Sequence, residues 1–332
     1  MIQYLIRRLI WAVALLLVVT MIGFVLFYLV PANPAKQACG KACTPEMIAR
    51  VAHYLGTDRP WYIQYVRFVG RLMPVSFHGG PHFKTPNLGK SFVSNQTVNR
   101  IVVNAAPETA SLVLGGVVLW MLIALPVGIL SALRPRSLLD RTTMTGVLIG
   151  VSTHPLFLGL VLLYFFTNKL HWFPIGGYAN FWHPAYGEPS GPLQWAYHLI
   201  LPWFTFAVLF MAIYVRMIRA NVMETMNEDY VRTARAKGAP ESLVMRSHIL
   251  RNALLPVVTM LGMDIGVALG GAVFTESIYG LHGLGWWTIW GLNNFDSPTV
   301  LGVLVFATTM IIVFNLFVDL LYAWIDPRIR LA

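Results

Sequence analysis

Six long apolar runs restrict this chain more than any other feature; they lie at residues 10–30, 109–133, 142–168, 199–215, 257–274 and 300–322. A helix needs about 20 apolar residues to cross a hydrocarbon core about 30 Å thick. Inside lipid its backbone must also satisfy its own hydrogen bonds. The first four runs contain no Asp, Glu, Lys or Arg, and the fifth and sixth carry one acid each, Asp264 and Asp319. Pro126, Pro155 and Pro202 fall within them, as bundle neighbours can allow. Of 332 residues, 57% are hydrophobic and only 11% charged, against roughly a quarter charged in soluble domains. The expected fold is therefore all-α integral membrane with six transmembrane helices.

Arg7 and Arg8 ahead of the first run resemble the start of a secretory signal. That run, however, has 21 residues, beyond the roughly 7–15 of a signal core, and no small-x-small cleavage site follows it. It reads as an uncleaved first helix.

The net charge of +10 is explained by position. Lys and Arg in short loops mark the cytoplasmic side. Arg7 and Arg8, Arg134, Arg136 and Arg141, seven bases from Arg216 to Arg251, and Arg328 with Arg330 fall on one side, fourteen of the 24 bases. The two short loops opposite hold only Lys169, and the other nine bases lie in a segment long enough to be translocated regardless of charge. Both termini are expected to be cytoplasmic. The parts are then residues 1–30, an outer loop 31–107, a five-helix region 108–325 containing an inner loop 216–256, and a tail 326–332. Nucleic-acid binding is disfavoured, because no exposed basic module or recognition motif is present.

Both long loops carry local order. Thr44-Pro45-Glu46 supplies an N-cap, a first-turn proline and an early acid ahead of an apolar-periodic stretch closed by Gly56, which predicts a short helix. A second is expected after Pro60, with Trp61, Ile63, Tyr65, Val66, Phe68, Val69 and Leu72 packing on the protein's own helices. Cys39 and Cys43, the only cysteines, stand outside the membrane, where a disulfide is favoured over free thiols; no second Cys or His pair supports zinc. His78 and His82 are separated by Gly79, Gly80 and Pro81 and read as loop histidines.

The inner loop is the more informative. Glu228 and Asp229 stand four and three residues before Arg232, which supports a helix through Lys237. Gly238 and Pro240 end it. Ala234 and Ala236, small residues beside a glycine, let another surface approach the backbone, so a docking site fits better than a solvated linker.

These residues resemble the permease subunits of bacterial ATP-binding-cassette importers of the dipeptide, oligopeptide and nickel group, and most closely the first permease subunit. The resemblance rests on Tyr4-Leu5-Ile6-Arg7-Arg8-Leu9, Leu55-Gly56-Thr57-Asp58-Arg59-Pro60 and Asn87-Leu88-Gly89-Lys90-Ser91. It continues through Asp229-Tyr230-Val231-Arg232-Thr233-Ala234-Arg235-Ala236-Lys237-Gly238, His248 to Pro256, Gly270-Gly271-Ala272-Val273-Phe274-Thr275-Glu276 and Asp326-Pro327-Arg328. It implies a type I importer permease fold in the bacterial plasma membrane. It also implies that Asp229, Tyr230, Arg232, Thr233, Ala234, Arg235, Ala236, Lys237 and Gly238 form the coupling helix seated on an ATP-hydrolysing partner. The implied partners are a second homologous permease, two ATP-binding subunits that hold ATP and Mg, an extracytoplasmic binding protein and the bilayer. The chain itself then needs no cofactor. Three departures stand out: Arg232-Thr233-Ala234 in place of Glu-Ala-Ala, a long stretch from 74 to 86, and Asp264 where relatives often have a neutral residue. Asp264 is thus a candidate passage residue. Peptide is the favoured cargo, with nickel chelates and haem open.

No Gly-x4-Gly-Lys-[Ser/Thr] phosphate loop is present, so ATP hydrolysis is expected in separate subunits. A proton-coupled transporter is the main rival, motivated by Asp264, Asp319 and His154, but inverted repeats are not evident. Glu276, Asp296 and Asp319 are expected to be solvated or paired, and His154 to be satisfied within the bundle. A membrane enzyme is disfavoured, since no His-Glu-x-x-His, Gly-x-Ser-x-Gly or paired-carboxylate motif occurs.

Overall fold

The apolar runs fold as helices, several longer than hydropathy suggests. The computed structural model describes residues 2–29, 43–55, 60–73, 75–76, 82–83, 85–182 and 190–325. The helices are α1 (Ile2–Phe24, continued as a π-helix over Val25–Leu29), α2 (Pro45–Leu55), α3 (Trp61–Leu72), α4 (Val98–Leu133), α5 (Leu138–Ser152) and α6 (Pro155–Leu162, continued as a π-helix over Leu163–Lys169). There follow α7 (Pro192–Met226), α8 (Asp229–Ala236), α9 (Glu241–Ala253, with a π-helical centre), α10 (Leu255–Ala268), α11 (Val273–Tyr279), α12 (Leu284–Asn293) and α13 (Ser297–Ile325). Among the described residues four helices, in α1, α4, α7 and α13, are long and apolar enough to cross a bilayer alone.

The other two expected spans are bent pairs. Residues 142–168 do not form one straight helix: α5 and α6 meet at 100°. Pro155 is the cause, because its ring pushes the preceding residue out of the helical region, and His154 is extended with φ −69° and ψ 133°. The His154 ring accepts the Leu156 N–H at 3.2 Å and so caps α6. The fifth run also breaks. α9 and α10 meet at 44°, and α10 stops at Ala268, not at 274. Gly271, at φ +130°, then turns the chain into α11. In the opposite direction, α4 starts at Val98 and α7 spans Pro192–Met226, because single charges such as Arg100 and Glu108 interrupt an apolar run without interrupting a helix.

Close packing depends on glycine where helices touch. Gly116 and Gly128 of α4 face Phe206 and Ile218 of α7, where a Cβ would stand 2.6 and 2.9 Å from them. Trp120, fully buried, stacks on Phe210 with centroids 4.7 Å apart and lies against Tyr214 at 5.8 Å. Gly262, Gly266 and Gly270 face Val318, Ile311 and Ala307 of α13; a Cβ on Gly266 or Gly270 would lie 3.1 or 2.7 Å from its neighbour. This is the small-x3-small spacing that lets membrane helices approach. α1 lies on α13 through the Arg8–Asp319 ion pair. Its Leu9, Ile10 and Trp11 are more than half exposed, as expected of a face whose solvent is lipid.

In the outer loop both predicted helices form. Thr44 Oγ1 accepts the Met47 N–H at 3.4 Å, and Phe68 packs on Phe24 and Val305, so α3 lies on its own bundle. His82, expected in a loop, instead pairs with Ser76 in a two-residue antiparallel ladder, while His78 lies outside the described residues. Cys43 is disulfide-bonded, and Cys39 lies outside the described residues, as does the tail 326–332.

Candidate functional site: the inner loop and its anchors

α8 begins at Asp229, an acid in the first turn that suits the positive end of the helix, and ends with basic Arg235 in its last turn. One face is fixed. Val231 is fully buried in the main core with Val222, Val244, Ile249 and Ala253, and Ala234 is half-buried against the same cluster. Tyr230 Oη accepts the Asn252 Nδ2–H at 2.9 Å, tying α8 to α9. The opposite face is bare: Asp229, Arg232, Thr233, Ala236 and Lys237 are exposed. The Asp229–Arg232 pair, at 3.7 Å, is a loose surface contact worth little.

The turn after α8 is closed on both sides. Lys237 N–H donates to Thr233 O at 3.0 Å and Ala239 N–H to Ala234 O at 3.2 Å. Arg235 donates twice to Glu241, from Nε at 3.1 Å and Nη2 at 2.7 Å, and these bonds push the Arg235 guanidinium pKa further up. Gly238 sits at φ +78° with open space around it, a conformation that a side chain would strain. The nine residues of the resemblance therefore form one unit, but with divided roles. Ala234, expected on the docking surface with Ala236, is instead turned into the packing, because it shares the inward face of α8 with Val231.

A buried anchor lies behind this unit. Arg219 of α7 reaches Asp140 at the start of α5, from Nε to Oδ1 at 2.6 Å and from Nη2 to Oδ2 at 2.9 Å. Ser131 of α4 donates to Oδ1 at 2.5 Å and the Arg136 N–H to Oδ2 at 2.9 Å. One carboxylate thus joins α4, α5 and α7. Sequence reasoning counted Arg136 and Arg219 only as topology charges and missed Asp140. The available signal was Ser137-x-x-Asp140, a helix-capping spacing; Ser137 Oγ accepts the Asp140 N–H at 3.2 Å.

At the opposite end two acids expected to be solvated or paired are fully buried, each held by hydrogen bonds. Glu276 of α11 accepts from Thr109 Oγ1 at 2.8 Å, Ala272 N–H at 3.1 Å and Trp286 N–H at 2.9 Å. Burial pushes its pKa up, and these donors oppose the shift. Gly283 and Gly285 leave the room it occupies: a Cβ on Gly285 would come 3.0 Å from Oε2. Asp296 accepts from Ser91 Oγ at 2.5 Å, Phe92 N–H at 2.8 Å and Thr299 Oγ1 at 2.6 Å, pinning the outer loop to the start of α13. Asp264 of α10 accepts the Tyr214 hydroxyl of α7 at 2.7 Å. Among the described residues no group of three or more His, Cys, Asp and Glu is arranged to hold a metal.

The arrangement defines a polytopic helical membrane protein with a surface helix held between the long helix α7 and the bent pair α9–α10. Residues 124–331 match the family described as binding-protein-dependent transport system inner membrane component, and residues 1–113 match its N-terminal counterpart. The chain belongs to this family. It is 34% identical to the di/tripeptide transport system permease protein DppB of Pseudomonas aeruginosa, with 99% of each chain covered. It is 33% identical to the dipeptide transport system permease protein DppB of Alkalihalophilus pseudofirmus, over 99% of this chain and all of that one. Among solved structures, the inward-facing MetNI methionine ABC transporter matches in fold with a TM-score of 0.52 at 18% identity, covering 69% of this chain and 97% of that one.

Proposed function

We propose that this chain is the membrane permease subunit of an ATP-driven importer and forms half of a passage for di- or oligopeptides across a bacterial plasma membrane. The observation that carries the reading is α8: a helix fixed on one face by Val231 and Ala234 and bare on the other. That geometry suits a partner that must grip the chain and pull on the bundle. Relatives named as dipeptide and di/tripeptide permeases, covered end to end, favour peptide over nickel chelate or haem.

In this reading the four long helices and the two bent pairs make six spans. The fourteen bases on the side of α8 support a cytoplasmic location for that side and for both termini. A second homologous permease completes the passage, two ATP-binding subunits hold ATP and Mg, and an extracytoplasmic protein delivers cargo. The chain is not an enzyme; hydrolysis belongs to the partners. Closure of those subunits draws the α8 helices together, and their differing contact with α8 in the two states shifts the spans between inward and outward openings.

Co-purification from native membranes tests the assembly: a second permease and two ATPase subunits should accompany this chain. In proteoliposomes containing them, radiolabelled dipeptide should accumulate only with ATP inside the cytoplasmic compartment. Accumulation driven by a proton gradient without ATPase subunits would return the reading to a secondary transporter.

A further inference from the structure

Asp264 lies within the 18-residue apolar stretch 257–274 and, unlike Asp140 and Asp319, faces no base among the described residues. Asp140 is answered by Arg219 and Asp319 by Arg8, whereas Glu108, where α4 meets the 280–283 turn, takes one neutral donor, the His282 N–H at 2.8 Å. The Asp264 carboxylate has only the neutral Tyr214 hydroxyl, on Oδ2. Its Oδ1 has no donor among the described residues.

The faces of α10 indicate where Oδ1 looks. At about 100° per residue, Gly262 and Gly266 share the face turned to α13. Val257 and Ala268 are buried on a second face, in the main core. Met260, Met263 and Val267 share the third face and are exposed. Asp264 falls at the border between the core face and the exposed one. A third face of this kind looks either at lipid or at the interior of an assembly. A carboxylate without a base is costly on a lipid-facing helix, and such groups turn to the bundle interior or a water-filled cavity. The carboxylate therefore favours an assembly interior over lipid for this face.

Tyr214 makes the site a built one. It is fully buried beside Trp120, so its hydroxyl is fixed in direction. It holds one carboxylate oxygen and leaves the other free to accept from a donor in the passage. The neighbouring Met260 and Met263 are unbranched thioethers, able to reshape around side chains of different size. A fixed anion beside an adaptable wall matches a cargo with one constant cation and variable side chains.

We infer that Asp264, positioned by Tyr214, receives the N-terminal ammonium group of the peptide in transit, with Met260 and Met263 forming the tolerant wall beside it. This rests on the peptide-importer reading above.

The test uses the complete importer in nanodiscs, first for ATP-dependent dipeptide uptake after transfer to liposomes, then for equilibrium binding without the extracytoplasmic protein. The probes are alanylalanine and N-acetyl-alanylalanine, read by titration calorimetry. Wild type should bind the free-amino peptide about tenfold more tightly than the acetylated one, the ratio expected from one charge-assisted hydrogen bond. Asp264→Asn should bring the two affinities together, and Asp264→Glu should restore part of the difference. Tyr214→Phe should weaken only the free-amino peptide. A wild type that binds both peptides equally, or imports peptide yet binds neither, overturns the proposal, and this comparison decides even where a variant fails to assemble. A variant Asp264→Asn that keeps the tenfold preference overturns it as well. A wild-type importer that takes up no peptide at all overturns the peptide reading itself.

Discussion

Arg219 and Asp140, 79 residues apart, meet as a two-pronged ion pair at 2.6 and 2.9 Å, and the same carboxylate also receives Ser131 and the Arg136 amide. Three helices thus share one buried charge. The loop between α4 and α5 cannot drift from α7 without uncovering it.

Asp140→Asn should lower stability by about 3 kcal/mol, the lower end for a broken buried pair, because Arg219 keeps 24% of its side chain exposed. The Asp140→Asn/Arg219→Met double variant should be less damaged than the sum of its parts. Thermal unfolding in detergent measures both. Additive effects would mean that the pair is not coupled.

Gly266→Leu should separate α10 from α13, because a Cβ there already meets the Ile311 backbone at 3.1 Å. Overpacking of this kind costs about 1–3 kcal/mol. The variant should show a lower unfolding temperature, while Gly146→Leu, which has open space around it, should not.

On α8 the two faces should respond differently. Arg232→Glu lies on the bare face and should leave folding unchanged while abolishing ATP-driven uptake. Ala234→Glu presses a charge against the edge of the main core and should lower both the folded yield and uptake. Gly238→Val adds left-handed strain of about 1–2 kcal/mol and should disturb the turn. Uptake per inserted molecule, read beside membrane yield, separates the cases; normal uptake by Arg232→Glu would remove α8 from the coupling surface.

Glu276→Gln should cost about 1–3 kcal/mol. The amide nitrogen that replaces one oxygen faces donors from Thr109, Ala272 and Trp286 and cannot accept from them. Limited proteolysis of the 280–283 turn should quicken in the variant. Unchanged cleavage would show that the cradle does not hold that loop.

What could be read in the sequence was local. Thr44-Pro45-Glu46 and Asp229 to Gly238 carry their caps, pairings and terminators within a few residues, so α2 and α8 were legible. The apolar runs were legible as membrane helices because the backbone in lipid has few alternatives. The 100° bend at His154 was not, since hydropathy averages over a proline and does not register direction. Ala234 and Ala236 look alike in sequence, and only the phase of α8 around Val231 assigns them to opposite faces. The anchoring role of Asp140 and the burial of Glu276 escaped for another reason: Arg219 and Thr109 are remote in sequence, and the other donors include backbone amides, which have no letter to read.

The unbroken length of α7 has a mechanical meaning. From Pro202, the one proline inside it, to Met226 next to α8, the helix measures about 36 Å. A tilt of about 10° about that proline would carry the Met226 end through roughly 6 Å, about one helical turn. Tyr214 rides midway along the same rod, so whatever moves α8 also moves the hydroxyl that aims Asp264. Grip outside the bilayer and reach within it are then two points on one lever.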